Sequence, residues 1–116
     1  MKSFAVIGLG RFGSSLAKKL GALGAEVLAI DKNMAIVEDM SDYVTQAAAG
    51  DCTDEKVLRA LGVKNCDCAV VAISENIEAS IMITSALKSL GVATVVAKAK
   101  SARHAKVLGQ IGADRV

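Results

Sequence analysis

Glycines 8, 10 and 13 enclose three other residues in the run Gly8-Leu9-Gly10-Arg11-Phe12-Gly13. This spacing has a chemical use when a strand enters the first glycine and a helix leaves the last. Backbone N–H groups at the helix start are then free to hold phosphate oxygens. Here Ser3 to Ile7 reads as the strand, and the apolar spacing from Arg11 onward reads as the helix. In that setting Gly8 permits the tight turn, Gly10 lets the backbone approach a pyrophosphate, and Gly13 lets helix and strand lie close. The plain alternative is glycine used only as punctuation between two elements.

A second candidate stands at the end of the next apolar run, where Asp31 follows Gly13 by 18 residues. An acid about 20 residues beyond the turn is placed to accept hydrogen bonds from ribose hydroxyls. It also repels a 2′-phosphate, a preference that the neighbouring Lys32 weakens. An ordinary solvated loop acid is the other reading of Asp31. Arg11, inside the turn, offers a guanidinium to a terminal phosphate or to a partner's nucleotide. Without a phosphate it is a solvated first-turn arginine, opposed by the helix dipole by a few tenths of a kcal/mol.

Three further segments reach the same sheet edge. Gly50-Asp51-Cys52-Thr53-Asp54 follows the third strand, where an adenine can rest. Asp51 either bonds the adenine amine or caps the next helix beside Thr53. Ala72-Ile73-Ser74-Glu75-Asn76 leaves the fourth strand at the switch point where such sheets bind ligands. Lys98 leaves the fifth strand, either to reach a phosphate or to lie solvated. No catalytic constellation accompanies these residues, and His104, the single histidine, sits in the last helix without an evident partner.

Composition bounds what can position them. A chain of 116 residues, 53% hydrophobic but only 3% aromatic, must pack its core with Val, Ile, Leu and Ala, which suits strands buried on both faces. A net charge of +2 without a basic cluster gives no footprint for nucleic acid. Cys52, Cys66 and Cys68 lack paired zinc spacing, so free thiols packed as small hydrophobes are expected, and no metal. The first strand starts beside Met1 with no leader pattern, and the most apolar stretch, Ile77 to Leu90, is broken by Glu78, Lys88 and several hydroxyls. A soluble intracellular domain that does not insert in membrane is expected.

Periodicity supplies the elements. Strands are predicted at Ser3–Ile7, Glu26–Ile30, Val44–Ala48, Cys68–Ile73 and Thr94–Ala97. Helices are predicted from Arg11 to Leu23, from Asn33 through Met40, from Thr53 with Lys56 in the capping-box position, from Asn76 to Leu90 and from Ala102 to Ile111. Phe12, Leu16, Leu20 and Leu23 form the apolar face of the first helix. Strict alternation of strand and helix predicts an α/β fold, a Rossmann-like doubly wound parallel sheet in the order 3-2-1-4-5. Gly112-Ala113-Asp114-Arg115-Val116 reads as a loop entering a sixth strand, so the chain is expected to be a single domain, 1–116, cut from something longer. The fourth helix carries Ile77, Ile81 and Met82 on one side and Ile83, Ala86, Leu87 and Leu90 beyond them, an arc wide enough for pairing with a second copy or for deep burial.

Taken together, the Gly8–Gly13 run, Ala29-Ile30-Asp31, Gly50–Asp54, Ala72–Asn76 and Gly112–Val116 resemble the regulator of potassium conductance (KTN, or TrkA-N) domain. They are most similar to the cytosolic gating subunits of bacterial Ktr potassium uptake systems. The resemblance runs from Ser3 to Val116 and implies that a C-terminal domain follows. It implies a domain that does no chemistry, binds ATP or ADP (first choice) or NAD(H) (second choice), and gates a membrane potassium transporter subunit. It further implies a homodimer assembling into a larger ring, an octamer in the full-length family, at the cytoplasmic face of the membrane. By resemblance, Gly8, Gly10, Arg11 and Gly13 hold phosphates, with Arg11 sensing a γ-phosphate, Asp31 on the ribose, and Asp51 and Cys52 beside adenine. Cys52 departs from the small non-thiol residue usual there.

Two rivals remain. The cofactor domain of an NAD-dependent oxidoreductase shares the turn and the acid, but its general acid and substrate site are not in these residues. A methyltransferase using S-adenosylmethionine fits more loosely.

Overall fold

The computed structural model describes residues 2–73 and 75–116. Five parallel strands, β1 (Ser3–Ile7), β2 (Glu26–Asp31), β3 (Gln46–Ala49), β4 (Cys68–Val71) and β5 (Thr94–Ala97), form one sheet in the order β3-β2-β1-β4-β5. The helices are α1 (Arg11–Ala22), α2 (Met34–Met40), α3 (Glu55–Ala60), α4 (Ile77–Ser89) and α5 (Ala102–Gln110). Architecture and strand order are those predicted. A one-turn 3-10 helix at Val63–Asn65, too short for periodicity to reveal, leads into β4.

Where strand ends differ from expectation, pairing explains the difference. β4 stops at Val71 rather than Ile73 because its neighbour β1 ends at Ile7 and turns away at Gly8, whose N–H goes to the Ile30 carbonyl at 2.9 Å. β3 begins at Gln46 rather than Val44 because the Thr45 hydroxyl, not a backbone carbonyl, accepts the Val27 N–H at 3.1 Å. β2 gains Asp31, which lies opposite Ala49.

Successive strand residues point to opposite faces, so the sheet divides the core in two. Ala5, Ile7, Leu28, Ile30, Val71 and Val95 pack with Leu58, Ile83, Leu87 and Leu108 of α3, α4 and α5. Val6, Val27 and Ala29 pack with Leu9, Ala17 and Met40 on the other side. The expected buried face of α1 is rotated. Phe12 and Leu23 are 44% and 71% exposed, while Gly13 and Ala17 are buried and Leu16 and Leu20 half-buried. The reason is close approach: a Cβ on Gly21 would strike the Tyr43 carbonyl oxygen, and one on Gly13 would strike that of Gly8. Small residues, not the larger ones, therefore face inward at Gly13, Ala17 and Gly21.

At the far edge the chain re-enters the sheet beside β5. The Ala97 N–H reaches the Arg115 carbonyl at 2.9 Å, and Val96 bridges Arg115 in parallel, the start of the expected sixth strand. Asp114 anchors it by accepting the Val95 N–H at 2.7 Å and the Lys88 ammonium at 3.0 Å. These donors hold its carboxyl below the usual carboxylate range.

Candidate functional site

The three glycines of the turn stand in different surroundings. Gly8 has φ +95°, a left-handed conformation that L side chains rarely adopt. Gly13 has no room for a Cβ, which would also fall 3.2 Å from that of Ala72. A Cβ on Gly10 would meet nothing within 4 Å. Two glycines therefore serve folding, and the middle one faces open space above the start of α1. Gly10 is also the N-cap of α1 and supplies no side-chain acceptor, whereas Asn33, Asp54, Asn76 and Ser101 cap α2, α3, α4 and α5. The first-turn N–H groups of α1 have no partner within the helix, so an anion above Gly10 would satisfy them. Arg11 and Phe12 are exposed beside that opening.

Asp31 is fixed more firmly than a solvated loop acid. Its Oδ2 accepts the Leu9 N–H at 2.8 Å and its Oδ1 accepts the Asn33 N–H at 2.9 Å. The side chain is half-buried, and each oxygen keeps a further lone pair for a hydroxyl donor.

Two adjoining cavities meet at Gly8, Asp31 and Ile73. The first, about 190 Å³, has apolar walls of Ile7, Ile30, Ile73 and Ile83 and a polar rim including Lys32, Asp51 and Thr53. The second, about 370 Å³, is bounded by Gly10, Arg11, Phe12, Ala72, Glu75 and Lys98. Small-molecule clefts run from roughly 300 to 1,000 Å³, so the first cavity is too small to hold a whole ligand by itself and opens into one that reaches this range. A narrow apolar slot and a mouth with two cations over a helix start are thereby joined at the Asp31 carboxylate.

Within the first cavity, Asp51 does not cap α3. Its Oδ1 accepts the Thr53 N–H at 3.0 Å and the Thr53 hydroxyl at 2.6 Å, which lowers its carboxyl from the usual range. The cap is Asp54, which accepts the Lys56 N–H at 2.9 Å, so neither Thr53 nor a capping box at Lys56 starts this helix. Cys52 is buried, and that burial, followed by the charges of Asp51 and Asp31, pushes its thiol up to about 12. It is a protonated wall rather than a nucleophile. Asn76, Ala79 and Ile83 of α4 complete the cavity. Sequence reading had Asn76 in the loop at the switch point but did not assign Ala79 and Ile83 to the site, although these two stand one helical turn apart on the side facing the sheet edge.

In the second cavity the Lys98 ammonium lies 5.1 Å from the centroid of the Phe12 ring, and Lys100 pairs with Glu75 at 3.4 Å. Ser74, expected in this loop, lies outside the described residues. His104 lines neither cavity, but it does have partners. It is buried between α4 and α5, bonded to Ser80 and to the Lys100 N–H.

Comparison with known proteins places this geometry. A family model described as the TrkA-N domain matches residues 4–116. The Ktr system potassium uptake protein C of Bacillus subtilis is 50% identical over 115 residues, covering 99% of this chain and 52% of the relative. The chain thus spans about half the length of the curated relatives it matches. Among solved structures, the NAD(P)-binding domain of an exopolyphosphatase-related protein from Archaeoglobus fulgidus superposes with TM-score 0.87 at 26% identity, over 100% of this chain and 87% of that one. GsuK bound to ADP has the same fold, with TM-score 0.85 at 19% identity over 99% of this chain and 30% of that one.

Proposed function

This chain belongs to the TrkA-N domain family, and on that footing we propose that it is the nucleotide-binding regulatory domain of a potassium uptake system. It binds ATP or ADP, does no chemistry, and passes the identity of the bound nucleotide to a membrane potassium transporter subunit. It works at the cytoplasmic face of the membrane, as a homodimer within a larger ring, an octamer as the family resemblance implies. The domain occupies residues 1–116.

The observation that carries the reading is the open, uncapped start of α1 between Gly10 and Arg11, held by Asp31 where the two cavities meet. Phosphates sit at Gly8, Gly10 and Gly13, within reach of Arg11 and Lys98, and next to Phe12, Ala72 and Glu75. The ribose sits at Asp31 beside Lys32, and adenine between Ile73 and the Asp51–Cys52 loop. Arg11 favours ATP or ADP over NAD(H), because an exposed guanidinium at the mouth of the second cavity can pair with the charge of a terminal phosphate. Asp31 disfavours a 2′-phosphate by charge. Ile77 and Met82, 41% and 45% exposed on α4, give a second copy an apolar surface to cover.

A switch needs different affinity for its two states. Co-purification of this chain with the potassium transporter subunit of its own source organism, with ATP, with ADP and without nucleotide, tests this. Retention that differs between the two nucleotides is expected. Equal retention under all three conditions contradicts the reading.

A further inference from the structure

His104 is a buried polar group that the nucleotide site does not use, and its contacts lead back to that site. The residue is 2% exposed. Its Nδ1 accepts the Lys100 N–H at 2.9 Å, which leaves the proton on Nε2, 3.0 Å from the Ser80 hydroxyl oxygen on α4. The Lys100 N–H belongs to the turn from β5 into α5, residues 98–101. That turn is pinned at its other end by the Lys98 N–H on the Val71 carbonyl at 2.9 Å. Lys98 and Lys100 are therefore held on a backbone fixed at both ends, two residues apart. From it one ammonium lies over Phe12 and the other pairs with Glu75, both of them residues of the phosphate cavity.

We propose that His104 is a positioning residue for nucleotide phosphate: by accepting the Lys100 N–H it fixes the turn that presents Lys98 to the phosphates. The inference rests on the nucleotide-binding reading above and adds a residue buried outside both cavities. A lysine ammonium loses much side-chain freedom on binding, so fixing its backbone reduces what remains to be ordered. The Ser80 bond, by contrast, ties α5 to α4 and bears on stability alone.

Two substitutions separate the two halves of the ring. In His104→Asn the side-chain oxygen replaces Nδ1 and keeps the Lys100 bond while losing Ser80. In His104→Gln the longer amide reaches Ser80 and leaves the Lys100 N–H unpartnered. The readout is the ratio of ATP to adenosine affinity by calorimetry, which isolates the phosphate contribution from folding and from base binding. His104→Gln is expected to lower that ratio about tenfold, the loss of one charge-assisted contact, and His104→Asn to leave it near wild type. Adenosine affinity should be alike in all three proteins. A ratio unchanged in His104→Gln, or lowered equally in both variants, overturns the proposal. Amide exchange in the wild-type protein gives an arm that needs no variant: a Lys100 N–H exchanging as fast as an open loop overturns it too. Failure of the wild type to bind ATP at all overturns the nucleotide reading itself, a result distinct from an unchanged ratio.

Discussion

The carboxylate of Asp31 holds the Leu9 N–H at 2.8 Å and so ties the end of β2 to the centre of the glycine turn. Its second oxygen holds the Asn33 N–H at the start of the next loop. A residue expected either to meet a ribose or to be a solvated loop acid thus fixes the shape of the glycine turn before any ligand arrives. Preorganisation of this kind lowers the cost of ordering on binding.

Asp31→Asn tests that double duty. An amide has one acceptor oxygen, so one of the two backbone N–H groups loses its partner and faces an NH2 group. Stability should fall by about 1–2 kcal/mol in urea titration, the usual cost of one unsatisfied, partly buried donor. Nucleotide affinity should fall by tenfold or more in calorimetry. Loss of affinity with unchanged stability would show that the carboxylate serves the ligand alone.

The glycines divide in the same way. Gly13→Ala drives a Cβ into the Gly8 carbonyl, and about 1–3 kcal/mol of stability should be lost as α1 is pushed from the sheet. Gly10→Ala meets no protein atom, and its φ of −70° suits alanine. Stability should stay within about 0.5 kcal/mol of wild type. Nucleotide binding should nevertheless be lost, because the methyl group occupies the phosphate's approach. A Gly10→Ala variant with wild-type affinity would remove the phosphate from this position.

Arg11→Ala should slightly stabilise the empty protein, by a few tenths of a kcal/mol, since no acid shares the first turn of α1 with this cation. It should cost ATP about tenfold in affinity and ADP less. Equal losses for both nucleotides would place Arg11 away from the terminal phosphate.

The helix sequence and the turn were legible because they depend on short-range pattern, apolar runs, glycine spacing and caps such as Asn33, and the sheet order because right-handed crossovers leave few arrangements of alternating strands and helices. What was not legible depends on distant backbone. The inward face of α1 follows from how closely Gly13 approaches Gly8 and Gly21 approaches Tyr43, and hydrophobicity alone chose Phe12 and Leu23 wrongly. The partners of His104 come from α4 and from the turn after β5, 24 and 4 residues away. Ala79 and Ile83 entered the site only because α4 lies across the sheet edge.

Cys52 should leave a pH signature. Its thiol stays protonated in the folded protein up to about 12, whereas the unfolded chain releases that proton near the ordinary cysteine value of about 8.5. Between those values the unfolded state binds fewer protons, so stability falls as pH rises through this window and is fully retained below it. Denaturant midpoints of wild type and Cys52→Ala at pH 8 to 10.5 check this: the wild type should decline more steeply, whatever the constant offset between the two. Parallel declines would mean that the thiol is not held protonated.

Thermal unfolding with ATP, ADP, NAD and NADH, in wild type and Gly10→Ala, tests the central claim most directly. A ligand at 100 times its dissociation constant adds about 2.7 kcal/mol of stability. ATP and ADP should raise the wild-type midpoint most, and none of the four should move Gly10→Ala. A larger rise with NADH, or equal rises in both proteins, would contradict an ATP- or ADP-sensing turn at Gly10.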